Sequence, residues 1–193
     1  SMGIARRPKY RLKNYPDSFF ITGFMGTGKS TIGRRLADRL ERPFADLDKV
    51  IEEKEGRSIK EIFESEGESY FREKEWEYLS EQTKSFKGVL ALGGGALHNQ
   101  HVVDHLKVHG LLIFIETPLE VIVDRVLRNK RRPIVLDAEG KIKSREMLLT
   151  ELKALYSARI NMYQQAQVVI QSNGHENKDT FTAKLLERLS RYV

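Results

Sequence analysis

Residues 23–30 read Gly23-Phe24-Met25-Gly26-Thr27-Gly28-Lys29-Ser30 and fit the phosphate-binding pattern G-x-x-x-x-G-K-[ST]. The apolar run Ser18–Thr22 precedes them and predicts a buried parallel strand, and residues 31–40 follow with apolar side chains at helical spacing. A glycine-rich loop between a strand and a helix aims backbone N–H groups at an anion, and the helix dipole favours negative charge there. The pattern therefore predicts a nucleoside triphosphate site.

Each residue type of this loop has a physical use. Lys29 is expected to reach the β- and γ-phosphates, and the Ser30 hydroxyl is expected to bind magnesium. The remaining residues expected to contact the nucleotide in this stretch are Gly26, Thr27, Gly28 and Thr31. A glycine-rich turn that only caps an ordinary helix is the alternative.

The positive charge of the chain is concentrated at one end. The 193 residues include 33 basic and 27 acidic side chains, for a net charge of +6. Residues 1–16 hold five of the basic side chains and no acidic one, which leaves 28 basic and 27 acidic residues in the remainder. A general nucleic-acid surface on the folded part is therefore poorly supported.

Composition also excludes several classes of site and location. The chain has no cysteine, which rules out disulfides, thiolate metal sites and cysteine nucleophiles. No run approaches the roughly 20 apolar residues of a membrane span, and the basic tail 1–17 lacks the apolar core of a signal peptide. We expect a cytoplasmic enzyme with no membrane or nucleic-acid partner. In the tail, Ser1-Met2 fits a cloning remnant before a natural start, and a transit peptide is the alternative.

Four further apolar runs predict strands that alternate with helices. The strands are predicted over 43–48, 89–92, 111–115 and 168–170, and the helices around 48–55, 58–63, 68–84, 102–107, 119–127, 147–165 and 181–189. The polar stretch 129–145, with Pro133 and Gly140, predicts a mobile loop. We expect the α/β class: a three-layer α/β/α sandwich with a five-stranded parallel sheet, forming one domain over 18–193 with its sites at the carboxyl ends of the strands.

Two carboxylates follow the second predicted strand. Asp46 and Asp48 stand at i and i+2, so on an extended segment they face the same side. Beside the phosphate loop, one is expected to hold magnesium and the other to orient an acceptor hydroxyl. A helix N-cap with an ordinary surface acid explains the pair equally well.

Three arginines are candidates for holding anions. Arg72 and Glu75 share a helix face at i and i+3, so the carboxylate can hold a guanidinium whose fork receives a planar anion; a solvated charged helix is the alternative. Arg132, in the polar loop with Arg131, predicts a lid over the phosphates or a solvated loop. Arg159, with Tyr156 and Tyr163 on its helix, predicts a second anion clamp or a surface residue.

A glycine triplet and a pair of histidines are the two remaining candidates for a ligand site. Gly93-Gly94-Gly95 suits neither a strand nor a helix, and such a triplet favours close approach of the backbone to a ligand; a plain loop is the alternative. His101 and His105 stand at i and i+4, but no carboxylate motif accompanies them, so no zinc site is expected.

Taken together, these stretches resemble the shikimate kinase family from Phe19 to Tyr163. The resemblance is carried by the phosphate loop and, in the same order, by these segments: Asp46-Leu47-Asp48 with Ile51-Glu52, Ile62-Phe63 with Gly67-Glu68, Phe71-Arg72-Glu73-Lys74-Glu75, Gly93-Gly94-Gly95, Arg132-Pro133, and Arg159 with Tyr163. Phosphate loops occur in many kinases, whereas this ordered set is much more specific.

The resemblance implies a P-loop, nucleoside-monophosphate-kinase-like fold and transfer of the ATP γ-phosphate to the 3-hydroxyl of shikimate, with ATP and Mg²⁺ required. It implies a substrate-binding region at about 46–80, a lid at about 129–145 and a monomer. The implied roles are nucleotide and metal binding for Lys29, Ser30 and Asp46; hydroxyl binding and general base for Asp48; carboxylate binding for Arg72 and Arg159; lining of the site for Gly93, Gly94 and Gly95; lid arginine for Arg132; and packing on adenine for Arg125. Lys29, Asp48 and Arg132 form the implied catalytic set.

Two departures from the family pattern stand out. Ile134-Val135 replaces the usual two leucines after Arg132-Pro133, and residues 172–178 lack the proline that commonly packs on adenine. A kinase of another hydroxylated acid such as gluconate, and a non-catalytic nucleotide-binding relative, are the alternative functions.

Overall fold

A computed structural model describes residues 11–129 and 132–193. Within these ranges the strands are β1 (Ser18–Thr22), β2 (Phe44–Asp46), β3 (Val89–Ala91), β4 (Gly110–Glu116) and β5 (Val168–Gln171). The helices are α1 (Lys29–Leu40), α2 (Leu47–Glu55), α3 (Ile59–Glu66), α4 (Glu68–Ser85), α5 (Gln100–His109), α6 (Leu119–Arg128), α7 (Arg145–Tyr163) and α8 (Lys178–Leu189). A short 3₁₀ turn spans Pro133–Val135.

The five strands form one sheet in the order β2-β3-β1-β4-β5, and every neighbouring pair is parallel. Strand β1 is central because both of its neighbours, β3 and β4, hydrogen-bond to it. Parallel pairing turns all carboxyl ends to one edge, where the loops after β1, β2 and β3 meet. The predicted five-stranded parallel sheet is confirmed.

Alternation along the strands divides the core into two layers. Phe19 and Ile21 of β1 pack with the apolar faces of α1 and α8, while Phe20 packs on the opposite face with residues of α4 to α7. Full burial of one such side chain contributes about 1.5–3 kcal/mol. Helices therefore cover both faces of the sheet, as the predicted three-layer sandwich requires.

Local signals fixed several helix ends. The Ser58 hydroxyl accepts a hydrogen bond from the Glu61 N–H at 3.1 Å, which confirms the predicted N-cap of α3. Gly56 ends α2 in a left-handed conformation with φ 71°. The second strand is shorter than predicted, because it ends at Asp46 and α2 begins at Leu47.

The segment before β1 packs on the domain, which the basic composition of the tail did not indicate. Leu12 is buried with the α1 and α8 face of the core. The Arg42 guanidinium donates to the carbonyl oxygens of Leu12, Lys13, Tyr15 and Asp17. Residues 1–10 of the predicted tail lie outside the described residues.

In the described part of the chain, no helix has the length and apolar character needed to cross a bilayer.

Candidate active site

The phosphate loop turns tightly between β1 and α1. Gly26 and Gly28 have φ of 74° and 83°, a left-handed conformation that side chains disfavour, and a Cβ on Gly23 would lie 2.7 Å from the Ile115 carbonyl oxygen. The Thr27 hydroxyl donates to the Phe24 carbonyl at 2.9 Å and is buried. The loop thereby delivers the chain to the start of α1, where unpaired N–H groups and the helix dipole favour an anion.

Lys29 and Ser30 lie where the loop pattern predicted. The Lys29 ammonium donates to the carbonyl oxygens of Gly23 and Phe24 at 2.7 and 3.0 Å. Burial lowers the pKa of Lys29 to about 8; Asp48 opposes this shift and Arg132 adds to it. A cleft of about 610 Å³, which is large enough for a nucleotide, is lined by Gly26, Gly28, Lys29, Ser30 and Thr31.

Asp46 and Asp48 differ from the prediction in their backbone conformation. Asp46 is the N-cap of α2, and its Oδ1 accepts from the Asp48 N–H at 3.0 Å. Asp48 is therefore in the first helical turn, and the idea that both carboxylates share the face of an extended strand is wrong. The side-chain oxygen of Asp46 accepts hydrogen bonds from the free N–H groups at the start of α2, so the helix begins at Leu47, directly after Asp46. The other oxygen of Asp46, Oδ2, accepts from the Ser30 hydroxyl at 2.6 Å.

Asp48 lies in the cleft despite this change. A Cβ on Gly93 would lie 2.8 Å from Asp48 Oδ1, so the absence of a side chain at Gly93 leaves room for the Asp48 carboxylate. Burial raises the pKa of Asp48 to about 6; Asp46 and Glu75 raise it further, whereas Lys29 and Arg72 lower it. A carboxylate whose pKa lies near neutrality is suited to accept a proton at physiological pH.

Arg72 and Arg159 meet above the third glycine. Arg72 Nη1 donates to Glu75 Oε1 at 2.9 Å, and the Glu75 side chain is only 2% exposed. A Cβ on Gly95 would collide with Arg72 Nη2 and would lie 3.0 Å from Arg159 Nη2. Arg72 is therefore partly buried, with its side chain 18% exposed, and Arg159 lies beside it at Gly95. This position favours an anion clamp over a fully solvated pair. Burial raises the pKa of Glu75, and Arg72 opposes that shift.

The glycine triplet joins two cavities. Gly93 and Gly94 line the 610 Å³ cleft, while Gly95 lines a second cavity of about 250 Å³ together with Arg72 and Arg159. The Tyr163 hydroxyl donates to the Gly94 carbonyl and fixes the strand end to α7. A small molecule lying along the triplet would meet the carboxylate of Asp48 at one end and both guanidinium groups at the other.

The remaining wall of the cleft is basic. Arg125 Nη1 donates to the Gly26 carbonyl at 2.7 Å, and its Nη2 donates to the Gly174 carbonyl. Arg132 and Lys178 also line the cleft. The sequence analysis missed Lys178, since its position depends on how the loop after β5 folds back toward the phosphate loop. Asn129, at the start of the predicted lid, is another lining residue that it missed.

The described part of the lid segment makes contacts with the domain that its polar composition did not indicate. Val135 is buried against the core, Leu136 and Ile142 form an antiparallel bridge, and Lys143 Nζ pairs with Glu151 at 2.6 Å. The departure Ile134-Val135 thus supplies an apolar anchor. Arg131 of the predicted lid lies outside the described residues.

The side chains that fit a magnesium ion are Ser30 and Asp46. A hydroxyl and a carboxylate in direct contact supply hard oxygen atoms, and Mg²⁺ is commonly held by one or two carboxylates together with substrate phosphates. Among residues 11–129 and 132–193, no group of three or more His, Cys, Asp or Glu side chains is arranged to hold a metal. His101 and His105 instead pack on Trp76, with ring centroids 4.7 and 4.9 Å from it.

A family model described as shikimate kinase matches residues 25–190. This chain belongs to the shikimate kinase family. The resemblance drawn from the ordered motifs is therefore confirmed.

Individual relatives agree with the family match. The chain is 36% identical over 175 residues to a shikimate kinase of Psychrobacter arcticus, covering 91% of this chain and 90% of the relative. It is also similar to the solved structure of an Acinetobacter baumannii shikimate kinase in complex with shikimate, with TM-score 0.82, 32% identity and coverage of 96% and 98%. A Bacteroides thetaiotaomicron shikimate kinase structure gives TM-score 0.81 at 30% identity, covering 90% and 98%. The predicted kinase fold is confirmed by these neighbours.

Proposed function

We propose that this protein transfers the γ-phosphate of ATP to the 3-hydroxyl of shikimate and forms shikimate 3-phosphate and ADP. Membership of the shikimate kinase family supports this reaction. The observation that carries the proposal is the meeting of Asp48, Arg72 and Arg159 along Gly93–Gly95, beside the phosphate loop. The structure of the Acinetobacter baumannii relative holds shikimate, which is a hydroxylated carboxylic acid.

The donor half of the cleft holds the triphosphate. The loop N–H groups and the start of α1 bind phosphate oxygens, Lys29 leaves the Gly23 and Phe24 carbonyls to reach the β- and γ-phosphates, and Arg132 approaches from the lid. Both cations neutralise charge that spreads over the transferred group in the transition state. Arg125 fixes the loop at Gly26 on the side where adenine packs.

The acceptor half holds a hydroxylated carboxylic acid. Arg72 and Arg159 present their forks to the carboxylate, and Glu75 orients the Arg72 guanidinium. At the other end of the glycine triplet, Asp48 accepts the hydrogen bond of a hydroxyl. The acid is thereby oriented with its reacting oxygen toward the phosphate loop.

Magnesium is part of this proposal through Ser30 and Asp46, which would hold it by their oxygen atoms. When bound, the ion neutralises phosphate charge and orients the donor. Asp46 also caps α2, so one carboxylate ties the metal position to the helix that carries Asp48.

In the transfer step, the acceptor oxygen forms a bond to the γ-phosphorus as the bond from that phosphorus to the ADP oxygen breaks. The hydroxyl proton passes to the Asp48 carboxylate, whose raised pKa of about 6 matches this role. The lid over the cleft excludes water and so limits hydrolysis of ATP.

The test is ADP release from ATP and magnesium with shikimate, quinate or gluconate as the acceptor. Strong stimulation that is selective for shikimate is expected. Selective stimulation by gluconate would assign the other hydroxylated acid. Intact ATP binding without stimulation by any acceptor would replace the proposal with a non-catalytic nucleotide-binding role.

Three further properties complete the proposal. One kinase domain over 18–193 after a basic tail and a cytoplasmic location rest on length and composition, and a monomeric state rests on the family resemblance. Light scattering of the purified protein tests the monomer directly, because a dimer doubles the measured mass.

A further inference from the structure

Lys178 is a cation of the cleft that the reaction described above does not use. It is the first residue of α8, and the loop that leads to it is stiff: Glu176 accepts from the Ser172 hydroxyl and the Asn173 N–H at 2.9 and 2.8 Å, and Asn177 caps the helix. These contacts place the Lys178 backbone across the cleft from the phosphate loop. Its side chain lines the same cavity as Lys29.

The Lys178 ammonium points at the loop itself. A Cβ on Gly28 would lie 3.4 Å from Lys178 Nζ. Gly28 is the N-cap of α1 and immediately precedes Lys29, so any phosphate cradled by the loop N–H groups is within hydrogen-bonding reach of Nζ.

The charges around Lys178 favour an anionic ligand. Within residues 11–129 and 132–193, the Lys178 ammonium takes part in no hydrogen bond or ion pair; only the Lys178 carbonyl does, accepting from the Thr182 hydroxyl. The acids beside it are engaged elsewhere, because Asp179 pairs with Arg35 at 3.2 Å and Glu176 holds its own loop. Burial lowers the pKa of Lys178 and Arg125 lowers it further, whereas Glu176 opposes the shift. Cations that lie close together are stabilised when a polyanion enters between them.

The position of Lys178 indicates which phosphates of the nucleotide its side chain contacts. Lys29 is expected to reach the β- and γ-phosphates. Lys178 instead follows the loop in which the Gly174 carbonyl accepts from Arg125, the residue that the family resemblance assigns to adenine packing. We propose that Lys178 binds the α- and β-phosphates of the nucleotide, the two phosphates that ATP and ADP share. This inference rests on the proposed ATP-dependent reaction and adds a nucleotide-binding residue in the segment that lacks the adenine-packing proline.

The α-phosphate gains no charge during transfer, so a contact to it is equally strong in the ground state and the transition state. Its loss therefore raises KM without changing kcat. Lys178→Gln is expected to raise KM for ATP about tenfold, the lower end of the range for a hydrogen bond to a charged group. KM for shikimate and kcat at saturating ATP are expected to change less than twofold.

Calorimetric titration of the full chain with ADP and with adenosine, without acceptor, tests the assignment. In Lys178→Gln, ADP affinity should fall about tenfold and adenosine affinity should stay unchanged. Lys178→Arg, which keeps the charge, should bind ADP within threefold of wild type, and Lys184→Gln on the same helix is the matched control.

Unchanged ADP affinity in Lys178→Gln, or an equal loss for adenosine, overturns the proposal, and so does a tenfold loss in a folded Lys178→Arg. Because no acceptor is present, this result is independent of whether shikimate stimulates turnover.

Discussion

The donor and acceptor halves of the cleft are built in different ways. The donor half is centred on one continuous segment, residues 23–31, whose backbone we expect to do most of the binding. The acceptor half combines Asp48 of α2, Arg72 of α4, Arg159 of α7 and the glycine triplet after β3. A site made of backbone tolerates many side-chain changes, whereas a site assembled from distant side chains depends on each of them.

The largest effect is expected from Asp48→Asn. Loss of the proton acceptor should lower kcat by about 10²- to 10⁴-fold, while ATP affinity, a property of the donor half, stays within threefold. Steady-state kinetics with both substrates varied provide the measurement. Asp38→Asn, an exposed carboxylate on α1, is the control. A kcat within tenfold of wild type would remove Asp48 from the role of base.

Arg72→Lys tests the carboxylate clamp. The charge remains but the fork to Glu75 and to a planar anion is lost, so shikimate binding should weaken by about 1–3 kcal/mol. ATP affinity should be unaffected, which separates the two halves. Arg57→Lys makes the same exchange at an arginine that contacts Ser65 outside the cleft. Equal shikimate affinity in the Arg72 variant and wild type would contradict the clamp.

Gly95→Ala tests whether the absence of a side chain at Gly95 makes room for the guanidinium groups of Arg72 and Arg159. The added methyl collides with the flexible end of Arg72, so the side chain moves while the fold remains. We expect KM for shikimate to rise about tenfold, because small displacements of positioning groups are costly. The loss should be non-additive in the double variant with Arg72→Lys. Strict additivity would show that the methyl acts on something other than Arg72.

The pH dependence of the reaction reports on both halves at once. Asp48 must be ionised and Lys29 charged, and their pKa values are about 6 and about 8. A plot of log kcat/KM against pH should rise through about pH 6 and fall through about pH 8. Since the two groups interact, the limits are apparent values of the pair. Persistence of the acidic limb in Asp48→Asn would assign it to another group.

The smallest expected effect is on stability. The pKa of Asp48 is raised from 3.8 in its ordinary state to about 6 in the fold. Its protonated form therefore stabilises the fold below pH 3.8, and that contribution is lost as pH rises through about 6. The Asp48→Asn variant has an uncharged side chain at every pH and does not lose this contribution. Its free energy of unfolding should therefore exceed that of wild type by about 1–3 kcal/mol at pH 7.5. Denaturant titrations at pH 7.5 and pH 4 measure the difference in free energy of unfolding between the variant and wild type. A difference of the same size at both pH values would contradict the prediction.

Sequence analysis was most successful where structure depends on neighbours in the chain. The loop 23–30, the cap at Ser58 and the stop at Gly56 follow from local backbone chemistry, and all three were predicted. At Asp46 and Asp48 two interpretations stayed open, because a strand end and a helix N-cap compete for the same residue, and the structure confirms the N-cap for Asp46. The side chain of Asp46 decided that competition.

The arginines show the limit of spacing as evidence. Arg72 and Glu75 have the spacing of any exposed ion pair, and the chain alone did not tell a clamp from a solvated face. Burial favours the clamp, because the Glu75 side chain is 2% exposed and holds Arg72 beside Arg159. The role of both arginines stays a prediction of the family resemblance.

Apolar runs and glycine positions were sufficient to predict the parallel sheet and the phosphate loop, because both depend on neighbouring residues, and the order of the motifs along the chain indicated the family. Only the folded structure shows that Asp48, Arg72 and Arg159 lie along one glycine triplet and that Lys178 faces Gly28. These residues lie far apart in the chain, and only the order of the strands and the packing of helices on them bring such groups within a few ångströms.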